Sequence, residues 1–240
     1  MLFKQIQSSS IPQQLLRYSA EVIIIFLGIT ISFLFEQWRE EKKHQKELIE
    51  LSESLITDID ALKDKLENDL KGSAEWIDQL DSLRTQRTSG KILERQATWL
   101  YYLVSGQIYF LFDPYSPTYM SAAGSGLVNE LPDSLKTQLY GLYRINMPFF
   151  QLLYDTQQES ITNFRNTSML SAHEYLYQKE VPSVNLDLNL FMKEIQQPAY
   201  GNFINQIIIT EREVYKLNKG TFDEAVKVQR SLQKYIDTHK

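Results

Sequence analysis

The sequence predicts an all-α protein: one N-terminal transmembrane helix continuing into a long amphipathic helix, followed by a helical bundle. Three observations predict it. Val22 to Phe35, VIIIFLGITISFLF, is an uncharged run whose only polar side chains are small hydroxyls. After Trp38, apolar residues recur every three or four positions through a highly charged stretch with no stop signal. Nine glycines and seven prolines in 240 residues are too few for the turns of an all-β chain.

A single stretch inside a bilayer must satisfy its backbone groups internally, so the apolar run is read as a helix. From Val22 to Phe35 it covers only about 21 Å, short of a hydrocarbon core of about 30 Å. Extended from Tyr18 to Trp38 it reaches about 30 Å and places an aromatic ring at each interface. Glu21 then lies at or slightly below the headgroup boundary. A cleaved signal peptide is the competing reading. The segment before the run is only weakly basic, however, and no A-x-A-like site follows it. The run passes straight into EQWREEKKHQKELIE, as expected of an uncleaved single-pass anchor.

The rest of the chain is long enough for one ordinary globular domain. A net charge of −5, with no basic stripe to neutralise phosphates, argues against nucleic acid as a partner. Cysteine is absent, which excludes disulfides, cysteine-ligated zinc, iron–sulfur clusters and a cysteine nucleophile. Its absence fits either side of a membrane. Fourteen tyrosines and twelve phenylalanines suit a packed helical core or a binding surface. Lys4 and Arg17 precede the span; Arg39, Lys42, Lys43 and Lys46 follow it, interleaved with Glu36, Glu40, Glu41 and Glu47. Counting Lys and Arg alone slightly favours a cytoplasmic domain, whereas an N-terminal span most often leaves its short tail inside. Composition leaves orientation even.

The chain divides into a tail (1–17), the span (18–38), a long amphipathic helix or stalk (39–90) and a helical bundle (91–240). In the stalk, Leu48, Leu51, Leu55, Ile59, Leu62, Leu66 and Leu70 follow an eleven-residue rhythm, which favours nearly straight or slightly right-handed packing. The helix either lies on its own domain or self-associates. Gly72 and Ser73 soften it, and Thr88 to Gly90 ends it. A second helix is expected from Ile92 to Phe112, with Trp99, Tyr101, Tyr102, Tyr109, Phe110 and Phe112 on its aromatic face. The prolines of Asp113 to Pro117 mark a turn. A short helix closed by Gly124 and Gly126 follows. Asp133 is then the expected N-cap of a helix running toward Lys179, with Pro148 as a kink or restart. Val181 to Phe191, VPSVNLDLNLF, alternates apolar and polar residues as a short strand would, but a lone strand has no partner, so it reads as an extended connection. Two final helices are expected, divided at Gly220, with Thr221 and Glu224 as a capping box.

No constellation for catalysis, cofactor binding or metal ligation emerges. His44, His173 and His239 lack a histidine at helical spacing. Ser125 lacks the full G-x-S-x-G frame, and Gly124-x-Gly126 is not followed by Gly-Lys-Ser/Thr. Asp58, Asp60, Asp64 and Glu67 read as a solvated face. The residues singled out are those of the anchor: Tyr18, Glu21, Gly28 and Trp38. Arg17, four residues before Glu21, is spaced for a helical ion pair with it. An acid in a span also marks ion paths in oligomers, and Gly28 with Ser32 permits close helix approach.

The block RYSAEVIIIFLGITISFLFEQWREEKK resembles the N-terminus of an uncharacterised family of bacterial single-pass membrane proteins. In that family a lysine and tyrosine precede Ala-Ile-Gly-Glu, an aliphatic run containing glycine, and Asn-x-Trp-Asn-Glu. Tyr18, Glu21, Gly28 and Trp38 match the pattern, while Ala20 replaces the usual glycine before the glutamate. SAAGSGLVNELPDSLKTQLYGLY is similar to the family's Ser/Gly-containing turn and the Leu-x-x-x-Leu-x-x-Tyr helix after it. The resemblance covers most of the chain. It implies a bacterial inner-membrane protein with its tail inside and its helical domain outside, and it implies no activity.

The resulting expectation is a non-enzymatic, membrane-anchored helical protein acting in interaction, sensing or scaffolding. Its partners are the lipid bilayer and either itself or another membrane protein, and no cofactor is expected. The alternative is an oligomeric membrane complex in which Glu21 has an ion-coupling or helix-contact role. A tethered enzyme would need a deep polar pocket beneath the Trp99 to Phe112 aromatics.

Overall fold

The computed structural model describes residues 13–104, 116–169 and 188–240, and all regular structure among them is helical. Helix α1 spans Gln13–Ser89, one unbroken helix of 77 residues and about 115 Å. Gly72 and Ser73 do not soften it. It stops where Gly90 takes a positive φ of 70°, which glycine adopts without a Cβ clash. Gly90 N donates to Arg87 O at 3.2 Å and Lys91 N to Gln86 O at 3.0 Å, the paired bonds of a Schellman ending. The Gln86 side chain accepts from Leu93 N at 3.0 Å, tying this turn to α2 (Glu94–Val104). Tyr109, Phe110 and Phe112 lie outside the described residues.

Helix α3 (Pro117–Ser125) begins at Ser116, whose side chain accepts from Tyr119 N, and ends at Gly126 with φ 83°. Most of the 113–117 turn lies outside the described residues. A short 3-10 turn, Leu127–Glu130, leads to α4 (Asp133–Tyr140). Pro132 occupies the N-cap position expected of Asp133. Asp133 is instead the first helical residue, and its carboxylate sits 2.7 Å from Lys136 Nζ. The helix then widens into a π turn, Gly141–Asn146, before continuing as α5 (Met147–Phe164). Pro148 has no N–H and cannot complete the ordinary ladder. The chain absorbs this by adding a residue to the turn, with Met147 N reaching back to Leu142 O. A second π turn, Arg165–Met169, follows α5.

Leu188–Ile195 forms α6, so the described part of the expected extended connection is helical; residues 181–187 lie outside the described residues. Helix α7 runs from Pro198 to His239 without a break. The division at Gly220 and the Thr221–Glu224 capping box are therefore corrected. Thr221 is fully buried on the core face, and Glu224 reaches across to α5's entry turn, where it accepts from Asn146 Nδ2 at 2.7 Å. A mid-helix glycine costs about 1 kcal/mol, and burial of α7 on both sides of Gly220 outweighs it.

Helices α1 and α7 pack antiparallel. Gln45 Nε2 donates to His239 O at 3.0 Å, Lys63 Nζ to Gln229 Oε1 at 2.8 Å, and Arg87 Nη2 to Gln197 O at 2.8 Å. The buried seam of α1 follows a seven-residue spacing rather than the eleven-residue rhythm. Ser52, Ile59, Leu66, Ser73 and Leu80 are buried, and Leu55, Leu62, Asp69, Trp76 and Leu83 line the same seam buried or half-buried. Helix α7 answers with Ile204, Glu211, Asn218, Ala225 and Leu232, and with Ile207, Val214, Thr221 and Val228. The Leu48–Leu66 stripe is thus covered by the domain itself. Two apolar clusters flank the middle of this seam. One joins Leu55, Ile59 and Leu66 to α3, α4, Phe150 and the C-terminal half of α7. The other joins Leu80 and Leu83 to α2, Ile161, Phe164, α6 and the N-terminal half of α7.

Candidate functional site

Two regions stand out from this frame: the exposed apolar segment of α1 and a polar layer buried between the two clusters. In the first, every residue from Val22 to Phe35 except half-exposed Thr30 is exposed, with Ile24 at 68% and Phe33 at 70%. Monomers in water rarely expose so large a contiguous apolar surface. One helix among the described residues is long and apolar enough to cross a membrane, and this is its N-terminal part. The hydroxyls in the run turn inward: Thr30 Oγ1 donates to Phe26 O and Ser32 Oγ to Gly28 O, each at 2.9 Å. No polar side-chain group in the run is left to seek water.

Tyr18 and Trp38 are exposed at the two ends of this segment, and the Trp38 ring lies 5.8 Å from that of Phe35. Glu21 is exposed; the Arg17 side chain, and with it the expected ion pair, lies outside the described residues. Gly28 has open space where a Cβ would stand. It lines a shallow groove of about 350 Å³ with Ile25, Ile29, Ser32, Phe33 and Glu36. From Trp38 to Leu48, the first buried position after the apolar run, the helix rises about 15 Å. Arg39–Glu36, Lys43–Glu47 and Lys46–Glu50 ion pairs dress this stretch. The anchor residues are therefore strung along one helix and do not converge.

The other sequence candidates disperse. His44 and His239 are exposed, with the His239 ring 4.3 Å from Tyr235, and His173 lies outside the described residues. Among the described residues no group of three or more His, Asp or Glu side chains is placed to hold a metal ion. Ser125 Oγ donates to Ala122 O at 3.2 Å, as a turn serine does. Asp58 leaves the solvated face assigned to it: Oδ2 accepts from Ser116 Oγ at 2.7 Å and from Thr118 N at 3.3 Å, anchoring the start of α3 to α1. Asp60 accepts from Lys63 and from Gln229 of α7. Trp99 packs edge-on against Trp76, and Tyr101 against Phe191, as core residues.

The polar layer escaped the sequence reading. Glu211 of α7 is only 3% exposed. The Ser73 hydroxyl of α1 donates to its Oε1, and Gln157 Nε2 of α5 donates to its Oε2 at 2.8 Å. Burial pushes the Glu211 carboxyl above the usual range; the two hydrogen bonds oppose this, and the charge of Asp69 adds to it. Asp69, half-buried on α1, is raised by burial too, with Lys65 pulling the other way. Tyr154 of α5 is raised by burial and by the charges of Asp69 and Glu211. The Asn218 amide lies beside the Tyr154 hydroxyl, fully buried, without completing a well-formed hydrogen bond. Thr221 Oγ1 and Gln157 Oε1 are likewise buried and unsatisfied. The signal was present in the sequence: Glu211 and Asn218 continue the seven-residue series of Ile204, Ala225 and Leu232. A search for apolar faces passes over such interruptions.

A family model, the family of unknown function DUF6090, matches residues 21–197. The chain belongs to this family. The matched range starts at Glu21, takes in Gly28, Trp38 and the rest of α1 through α6, and leaves α7 outside. No curated protein and no solved structure matches the chain. Membership in DUF6090 carries no activity, so function rests on the geometry.

Proposed function

We propose that this chain is a single-pass bacterial inner-membrane protein acting, without catalysis, in interaction, sensing or scaffolding. Its tail is cytoplasmic and its helical domain periplasmic. One observation carries the reading: α1 is unbroken from Gln13 to Ser89, apolar and exposed over Val22 to Phe35 and the backbone of the domain core from Leu48 to Leu83. A continuous helix couples anchor and domain rigidly and holds the domain about 15 Å clear of the interface. Lipid covers the exposed run, and Tyr18 and Trp38 mark its two boundaries.

The chain has no cysteine, so a single introduced one reports topology cleanly. In Ser89→Cys, at the distal end of α1, a membrane-impermeant maleimide is expected to label intact spheroplasts. Labelling only after lysis would place the domain in the cytoplasm. Recovery of the full chain in the soluble fraction, without detergent, would remove the anchor itself.

The groove at Gly28 favours a second reading, in which two or more spans associate through Gly28 and Ser32 and Glu21 braces the contact. Light scattering of the detergent-purified protein decides it. A defined oligomer dissociated by Gly28→Leu supports it, and a monomer rejects it.

A further inference from the structure

Beyond that reading lies the buried layer, which an anchored scaffold does not require. Two carboxyls share it, Glu211 fully inside and Asp69 half-buried, with the Tyr154 hydroxyl beside them. We propose that Glu211, with Asp69 beside it, forms a proton-binding site at the centre of the α1–α7 seam, whose deprotonation loosens α1 from α7.

The surroundings favour a neutral acid over a paired anion: with the proton on Oε1, the Ser73 hydroxyl turns to accept it while Gln157 Nε2 still donates to Oε2. From α1, Glu211 meets the neutral Ser73 hydroxyl and the acid Asp69; from α5, the neutral Gln157 amide and Tyr154. Lys65, the cation acting on this layer, acts on Asp69. On α7 itself, Arg212 is held by Asp81 at 2.7 Å and Glu213 pairs with Lys216 at 2.6 Å. Apolar clusters lie on either side along the seam, so among the described residues a charge on Glu211 is met by two hydrogen bonds, from Ser73 and Gln157. Half-exposed Asp69 supplies the route to solvent.

The sign follows from burial. Both carboxyls hold their protons more tightly folded than unfolded, because their folded values are raised. Stability is therefore complete below the ordinary carboxylate range and is lost as pH rises through the raised values. The seam tightens in acid and loosens as pH rises through the raised carboxyl values. Asp69 and Ser73 sit on the same unbroken helix as the apolar segment, so the site acts on the element that carries the anchor.

The test is thermal unfolding of the full-length, detergent-purified chain, followed by circular dichroism between about pH 5 and pH 9. The native chain is expected to melt at progressively lower temperature as pH rises. Glu211→Gln, isosteric and neutral, is expected to flatten most of that slope and to melt above the native chain at the alkaline end. Equal slopes in both would overturn the proposal. Infrared spectra give a second reading that needs no variant to be more stable. At a pH just above the ordinary carboxylate range, the native chain should show a carboxylic-acid carbonyl band that survives Asp69→Asn and disappears in Glu211→Gln. A native spectrum without that band would overturn it as well.

Discussion

The Arg87 guanidinium at the end of α1 lies against Gly201 in the first turn of α7, where any Cβ would overlap it. From there it donates to three carbonyls of the α6–α7 junction: Nε to Ile195 O at 2.8 Å, and Nη2 to Gln196 O at 3.0 Å and Gln197 O at 2.8 Å. Carbonyls at a helix end lack partners of their own, and one planar fork satisfies this set. A single side chain thus ties the far end of α1 to two other helices.

Gly201→Ala is therefore expected to destabilise, although alanine is the better helix former by about 1 kcal/mol. Displacing the guanidinium from three acceptors should cost about 1–3 kcal/mol net. Thermal unfolding of Gly201→Ala, Arg87→Ala and the double variant checks this. The double should be no less stable than Arg87→Ala alone, because the contacts are already gone and helix propensity then acts unopposed. A higher melting temperature for Gly201→Ala would show that the guanidinium is held loosely.

Gly141 offers a parallel case in the π turn. A Cβ there would stand 2.8 Å from Glu224 Oε1, while Oε2 accepts from Asn146. Gly141→Ala should force the carboxylate aside and cost about 1 kcal/mol. In a Glu224→Ala background the same change should become neutral or favourable, as helix propensity then acts unopposed. Urea unfolding of the four chains in this cycle gives the coupling directly.

Leu55 and Leu83 are both fully buried on α1, one in each apolar cluster. Truncating either to alanine should cost about 2–5 kcal/mol. Because α1 and α7 run through both clusters, the domain should still unfold in one step, with its urea midpoint lowered and its slope unchanged. A two-step curve in either variant would show that the polar layer divides the domain into separately folding halves.

Alkaline pH should weaken the fold through its buried tyrosines. Burial pushes the Tyr143 hydroxyl up to about 12, and raises Tyr154 and Tyr200 as well. A raised phenol contributes stability that is whole below its ordinary value of about 10 and is lost as pH climbs toward the folded value. Stability should therefore decline between about pH 10 and pH 12, and Tyr143→Phe should reduce the decline. Ultraviolet phenolate absorbance and melting temperature, followed together, measure it.

Much of this fold is legible in the sequence where a local rule decides. The Schellman ending at Gly90, the α3 ending at Gly126 and the unbroken passage from apolar run to charged helix follow from glycine placement and periodicity. Thr221 and Glu224 match a capping box as well as any pair in the chain, yet they lie mid-helix. Tertiary partners, the core for Thr221 and Asn146 for Glu224, claim both side chains. Pro148 marks a break in the ladder correctly, but whether a chain kinks or widens depends on what packs against the turn. The eleven-residue reading of α1 counts only its leucines and isoleucines. The buried spacing of seven includes Ser52, Asp69 and Ser73, which a hydrophobicity pattern discards.

By itself the sequence determined the helical class, the apolar segment with its flanking Tyr18 and Trp38, and the absence of cysteine. These depend on composition and on neighbours within a few positions. The tertiary structure alone decided that α7 folds back along α1, and that Asp69, Ser73, Tyr154, Gln157 and Glu211 meet in one layer. A carboxylate's environment is set by groups distant in the chain, here with Ser73 and Glu211 separated by 138 residues. Nothing local to Glu211 distinguishes it from the solvated acids around it until the helices are packed.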